Sequence, residues 1–186
     1  MDYILFELQW MLYNVFLALL PVIFIYLAVK SKSIFFRTIW FLLWLFFLPN
    51  TLYLLTDITH FSESIEKTPA PFAPLTVILF ILLMLVGVVT FLLALSPLEK
   101  FLQKKKINNI FLLLIIINLL VGFGIILGRV ERANSWDILL HPLILLWNAY
   151  TILLYPKLLT AAFIWGIISN IFYFSLRNSL KKVKQK

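Results

Sequence analysis

The chain has 186 residues, of which 63% are apolar, 17% aromatic and only 13% charged. That is too little charge to coat a water-soluble globule, so the composition reads as an integral membrane protein. Sixteen Lys and Arg stand against eight Asp and Glu, and there is no Cys, which excludes a disulfide scaffold, a thiolate metal centre, a cysteine nucleophile and a lipidated cysteine anchor.

At about 20 apolar residues per crossing, the length accommodates five or six helices with short loops and leaves no room for a separate soluble domain. The opening Met1, Asp2 and Tyr3 carry no positive n-region and no cleavage motif follows the first apolar run, so the first helix is expected to be retained. In chain order the spanning runs are Leu8 to Val29, Ile34 to Leu55, Leu75 to Leu95 and Ile107 to Leu127. The segment from Lys67 to Pro74, rich in Pro and Ala, is the one linker-like stretch, and no internal repeat is evident. After Trp136 the pattern is broken by Pro142 and Pro156, each lacking a backbone donor and biasing its predecessor away from the α region. The helix between them, 142–155, reaches about 21 Å, short of the roughly 30 Å hydrocarbon core. It is expected to be re-entrant or interfacial on the outer side, and Lys157 to Leu176 becomes the fifth span.

Orientation follows from where the basic residues lie rather than from their excess, and nucleic acid is not an expected partner. Lys30, Lys32 and Arg37, then Lys100, Lys104, Lys105 and Lys106, then Arg177, Lys181, Lys182, Lys184 and Lys186 account for twelve of the sixteen, all in alternate loops. The positive-inside rule assigns these to the cytoplasm. The expected fold is therefore an all-α polytopic bundle forming a single transmembrane domain over 1–186. It has five spans, the N-terminus outside and the C-terminus inside. A sixth span would put the five C-terminal basic residues outside.

Polar residues near the spans gather at one level. Counted from Ile34, Asn50 lies about 24 Å up and Asp57 about 34 Å, while Arg129 lies about 33 Å up from Ile107. Asp57 and His60 follow the second span; Arg129, Arg132, Asn134, Asp137 and His141 follow the fourth. The run Phe47, Leu48, Pro49, Asn50, Tyr53, Thr56, Asp57, His60, with Leu127, Gly128, Arg129, Arg132, Asn134, Ser135, Trp136, Asp137, His141 and Pro142 far downstream, resembles a family of small bacterial membrane proteins, domain of unknown function 1361. Tyr13, Asn14, Phe16, Leu17, Ala18 and Pro21 look like that family's opening segment, with Tyr13 where Trp is expected. The resemblance covers about residues 10 to 175 and implies a bacterial multispan protein of the cytoplasmic membrane; it brings no activity.

Each polar pair carries two readings. Asp57 and His60, three apart, lie on one face of a helix and suit a general acid/base pair or two metal ligands; alternatively Thr56 or Asp57 caps a short outer helix. Asp137 and His141, four apart, suit a second acid/base pair, and the four side chains together a site for a divalent metal. Asn134 and Asp137 also read as an N-capping pair. Arg129 and Arg132 suit bidentate capture of an anionic headgroup or polyprenyl phosphate, or internal pairing with Asp57, Asp137 or Glu131. Pro49 frees the Leu45 carbonyl and kinks the second span, and Asn50 beside it could satisfy that break or bond Asn14 or Asn118 on other spans. Gly124 and Gly128 form a GxxxG pair, and Asn148, Thr151 and Tyr155 a polar stripe facing the protein.

The combined expectation is an outer polar pocket that binds or processes a lipid-linked or envelope substrate. His60 is the base, Asp57 its orienting carboxylate, Asp137 and His141 the second pair, and Arg129, Arg132, Asn50, Asn134 and Trp136 the binding residues. The alternative is a non-enzymatic membrane subunit whose polar cluster locks the outer loops or docks a membrane protein partner. A transporter ranks behind both, because mid-span polarity is confined mainly to Asn14 and Asn118.

Overall fold

The computed structural model describes residues 2–130 and 137–183. Every regular element among them is helical. Five helical stretches are long and apolar enough to cross a membrane, Glu7–Lys30, Ile34–Lys67, Ala70–Lys104, Ile110–Val130 and Pro156–Asn178, with Pro142–Leu154 too short to do so. The chain is a multi-pass membrane protein on this evidence, and it divides into two compact units at Leu95 and Ser96.

The first unit holds α1 (Asp2–Lys30), α2 (Ile34–Phe47), α3 (Pro49–Thr56), α4 (Ile58–Lys67) and the first three-quarters of α5 (Ala73–Lys104). The second apolar stretch is thus three helical pieces. Pro49 ends α2 because its ring cannot follow an α turn without displacing the carbonyl four residues back. It then opens α3, where a missing N–H costs nothing. Thr51 ties the first turn of α3 to the junction, its N–H and hydroxyl both reaching the Leu48 carbonyl at 3.1 and 2.7 Å. A second break at Asp57 starts α4, whose apolar residues lie on one side and whose Glu63, Glu66 and Lys67 are exposed. Ala70–Phe72 then forms a single 3-10 turn ahead of α5.

Aromatic rings and one glycine set the packing of this unit. Phe24 of α1 stacks on Trp40 and meets Phe47 edge-on, with centroids 5.9 and 5.5 Å away. The Trp44 indole donates to the Ala94 carbonyl of α5 at 3.0 Å, giving a buried N–H a partner. A Cβ added at Gly87 would stand 2.7 Å from the Thr51 carbonyl oxygen, so only glycine lets α5 approach α3 this closely. Met11, Ala18, Leu54, Phe80 and Leu83 form the buried core below the polar end of α1.

The second unit begins with the last turns of α5 and continues through α6 (Ile110–Val130), α7 (Asp137–Leu140), α8 (Pro142–Leu154) and α9 (Pro156–Val183). α5 runs nine residues past the expected end of the third span. It stops in a Schellman turn: Lys106 N–H reaches the Gln103 carbonyl and Ile107 N–H the Leu102 carbonyl, with Lys106 at φ 53°. This turn and Asn109 at φ 59° occupy the loop, so α6 starts at Ile110 rather than Ile107.

α6 and α9 are antiparallel, and three pairs fix their register. Asn118 Nδ2 donates to Asn170 Oδ1 at 3.0 Å. A Cβ on Gly122 would fall 2.2 Å from the Gly166 nitrogen and 2.3 Å from the Ala162 carbonyl oxygen. One turn further, Ile126 and Ala162 share a buried cluster with Ile152 of α8. The glycine contact is therefore Gly122 against Gly166, whereas Gly124 and Gly128 are half-buried. On α8 the buried residue is Ile152, flanked by half-buried Asn148 and Thr151; Tyr155 is exposed. The expected polar stripe is thus two residues long, and the Thr151 hydroxyl is occupied by the Trp147 carbonyl at 3.0 Å.

Candidate functional site

The polar end of the first unit is a ladder between antiparallel helices. On α1, Glu7, Trp10 and Asn14 fall at i, i+3 and i+7, one face of a helix. Opposite them, in reverse order, stand Ser64, His60 and Asp57. Ser64 Oγ donates to Glu7 Oε1 at 3.1 Å. The Trp10 and His60 rings meet edge-on, centroids 5.8 Å apart and planes at 82°. Asn14 Nδ2 reaches Asp57 Oδ2 at 3.4 Å.

Asp57 sits at the break between α3 and α4 and is wholly buried. A carboxylate there loses its water and depends on protein donors, which Asn14 supplies in part. Its side chain makes no cap bond, and the Thr56 hydroxyl turns back to the Tyr53 carbonyl at 2.6 Å. The capping role expected of either residue is therefore not taken up: Asp57 keeps a helical φ of −67° and ψ of −13°, whereas a capping residue takes an extended backbone. His60 is exposed, and its N–H donates to the Asp57 carbonyl at 2.9 Å. Ser64 is buried, Trp10 half-buried. Asn50 is half-buried in the first turn of α3. The amide donors of Asn14 and Asn118 go to Asp57 and Asn170.

The other candidates belong to the second unit. Arg129 is half-buried in the last turn of α6, where a cation complements the helix dipole. Asp137 is half-buried and opens α7, and its carbonyl accepts from the His141 N–H at 2.7 Å. His141 is exposed and precedes α8 at φ −138° and ψ 54°, outside the helical region, with no side-chain cap bond. Arg132, Asn134 and Trp136 lie outside the described residues, as does the Asn134 half of the expected capping pair. Among the described residues no three His, Asp or Glu side chains gather as a metal set.

Two features escape a sequence reading built on the loops. Glu7, Trp10 and Ser64 complete the ladder, and the helical spacing of Glu7, Trp10 and Asn14 is the signal that points to it. Glu99, which precedes a run of lysines in the sequence, is buried at 6% exposure and accepts from Tyr173 Oη at 2.5 Å, Arg177 Nη1 at 3.1 Å and Gln103 Nε2 at 3.2 Å. A lone acid inside a basic segment is its signal.

A family model described as a protein of unknown function (DUF1361) matches residues 13–173. No curated protein and no solved structure matches the chain.

Proposed function

Because the chain belongs to this family of proteins of unknown function, DUF1361, whose description carries no activity, we propose from its residues that it is a non-catalytic membrane subunit. Its polar ladder locks α1 against the α3–α4 break and holds His60 at the surface for a membrane protein partner. The observation that carries this reading is the complete burial of Asp57 with Asn14 of α1 against its carboxylate. A carboxylate removed from solvent in this way secures a helix contact, and substrate has no path to it without opening the ladder. The orientation that goes with the reading has the N-terminus and the ladder outside and the lysine-rich turns inside, supported by twelve of sixteen basic residues in alternate loops.

A second reading rests on the exposure of His60 and His141. In it His60 is a general base with Asp57 behind it in the first unit, and in the second unit Asp137 and His141 form an acid/base pair of their own while Arg129 with Arg132 clamps the phosphate of a lipid-linked or envelope substrate. Asn50, Asn134 and Trp136 then contribute to binding. One set of variants separates the two. Under the first reading Asp57→Asn and Asn14→Leu lower the yield of folded, detergent-stable protein, and His60→Ala, which loses only the edge-on contact with Trp10, lowers it least. Full folded yield for Asp57→Asn, with a phosphate-bearing adduct in native mass spectrometry that His60→Ala and Arg129→Gln abolish, would instead establish the second.

A further inference from the structure

We infer that Arg177 is the phosphate-receiving group of an anionic phospholipid site on the second unit, independent of the ladder. The guanidinium is held from two sides. Glu99 accepts from its Nη1 at 3.1 Å, and the Phe174 ring lies 4.9 Å beneath its central carbon. Glu99 is itself fixed by Tyr173 and Gln103, so the ion pair orients Arg177 and cancels the buried charge.

Most of the donor capacity of Arg177 is left over. A guanidinium has five N–H groups in a planar fork, yet among the described residues Arg177 makes one hydrogen bond, and its buried Nε has no partner. The side chain is still 29% exposed, which leaves an edge open to a phosphodiester. Charge on the same unit favours an anion: Lys100, Lys104, Lys105 and Lys106 are exposed, and Glu99 is the one acid between Ser96 and Asn109. The apolar side is present too. Phe111, 61% exposed, packs on Phe174 with centroids 4.9 Å apart, so an acyl chain would run along aromatic surface beside the bound headgroup. Basic groups between spans at the lysine-rich end of a bundle recognise anionic headgroups by this combination.

The test is native mass spectrometry of the full chain in detergent, titrated separately with phosphatidylglycerol, phosphatidylcholine and inorganic phosphate. The wild type is expected to retain one phosphatidylglycerol in preference to phosphatidylcholine, and Arg177→Gln to weaken it about tenfold. Because Arg177→Gln strands the Glu99 charge, the double variant Glu99→Gln with Arg177→Gln removes both members of the pair and keeps the contact neutral. It should fold and still lose the lipid. Arg177→Lys, which keeps the charge but not the fork, should bind with intermediate strength. Equal retention of both lipids, or undiminished phosphatidylglycerol binding in a folded double variant, would overturn the assignment. So would displacement of phosphatidylglycerol by millimolar inorganic phosphate, which would make the ligand free phosphate.

Discussion

Lys106 holds a backbone conformation that a side chain ordinarily avoids. At φ 53° it is the left-handed residue of the Schellman turn that ends α5, a position glycine fills without the Cβ strain of an L-residue. Lys106→Gly should therefore raise stability by about 0.5–1 kcal/mol, net of the extra chain entropy of glycine. Thermal unfolding in detergent checks this. Asn109, also left-handed at φ 59°, belongs to a residue type that tolerates the region, so Asn109→Gly should change the melt less. At this same scale the sequence exposed residue types better than their use. Asp57 and His60 are conspicuous in an apolar chain, but which one is buried depends on the backbone break at Asp57. That break makes the carboxylate a buried partner of Asn14 and leaves the imidazole outside. Glu99 was hidden for the opposite reason: its neighbours in sequence are lysines, and its partners Tyr173 and Arg177 lie more than 70 residues downstream.

Among the elements, α6 and α9 depend on two glycines. Gly122→Ala should cost upward of about 2 kcal/mol, because its Cβ meets backbone atoms of Gly166 and Ala162 that have no rotamer to yield. Gly124→Ala, two residues along and so on a different face of the helix, should leave the melting temperature near that of the wild type. The spans themselves were legible because uninterrupted apolar runs of the right length have few other outcomes in a bilayer. Pro49, Pro142 and Pro156 were legible as breaks for a steric reason local to the chain. The glycine pairing was not, since Gly124 and Gly128 carry the familiar spacing while Gly122 finds its partner on another helix. α4 was legible only as one of two readings, a short outer helix after Thr56 or Asp57; the apolar run stops at Leu55, and the amphipathic spacing of Ile58, Phe61 and Ile65 carries that helix on to Lys67.

For the whole molecule the central expectations are five spans and one short helix, which the described residues contain, and an orientation that rests on charge. The absence of cysteine makes the orientation directly measurable, since any cysteine introduced is unique. Ser62→Cys on exposed α4 should react with a membrane-impermeant maleimide in intact cells, and Asn108→Cys in the α5–α6 loop only after permeabilisation. The reverse pattern would invert the topology and with it the side on which the ladder stands. The two units also divide the polar chemistry: the ladder of α1, α3 and α4 in one, and the Glu99, Tyr173 and Arg177 group in the other.

The claim that Asp57 secures a helix contact is tested most directly by a double-mutant cycle of Asn14→Ala and Asp57→Ala, read by reversible unfolding in mixed micelles. The lock predicts a coupling of about 0.5–1.5 kcal/mol between the two positions, with each single variant destabilised and the double variant little worse than Asp57→Ala. Strictly additive effects, or a wild-type melt for Asp57→Ala alone, would contradict it and return Asp57 to the role of a chemical group.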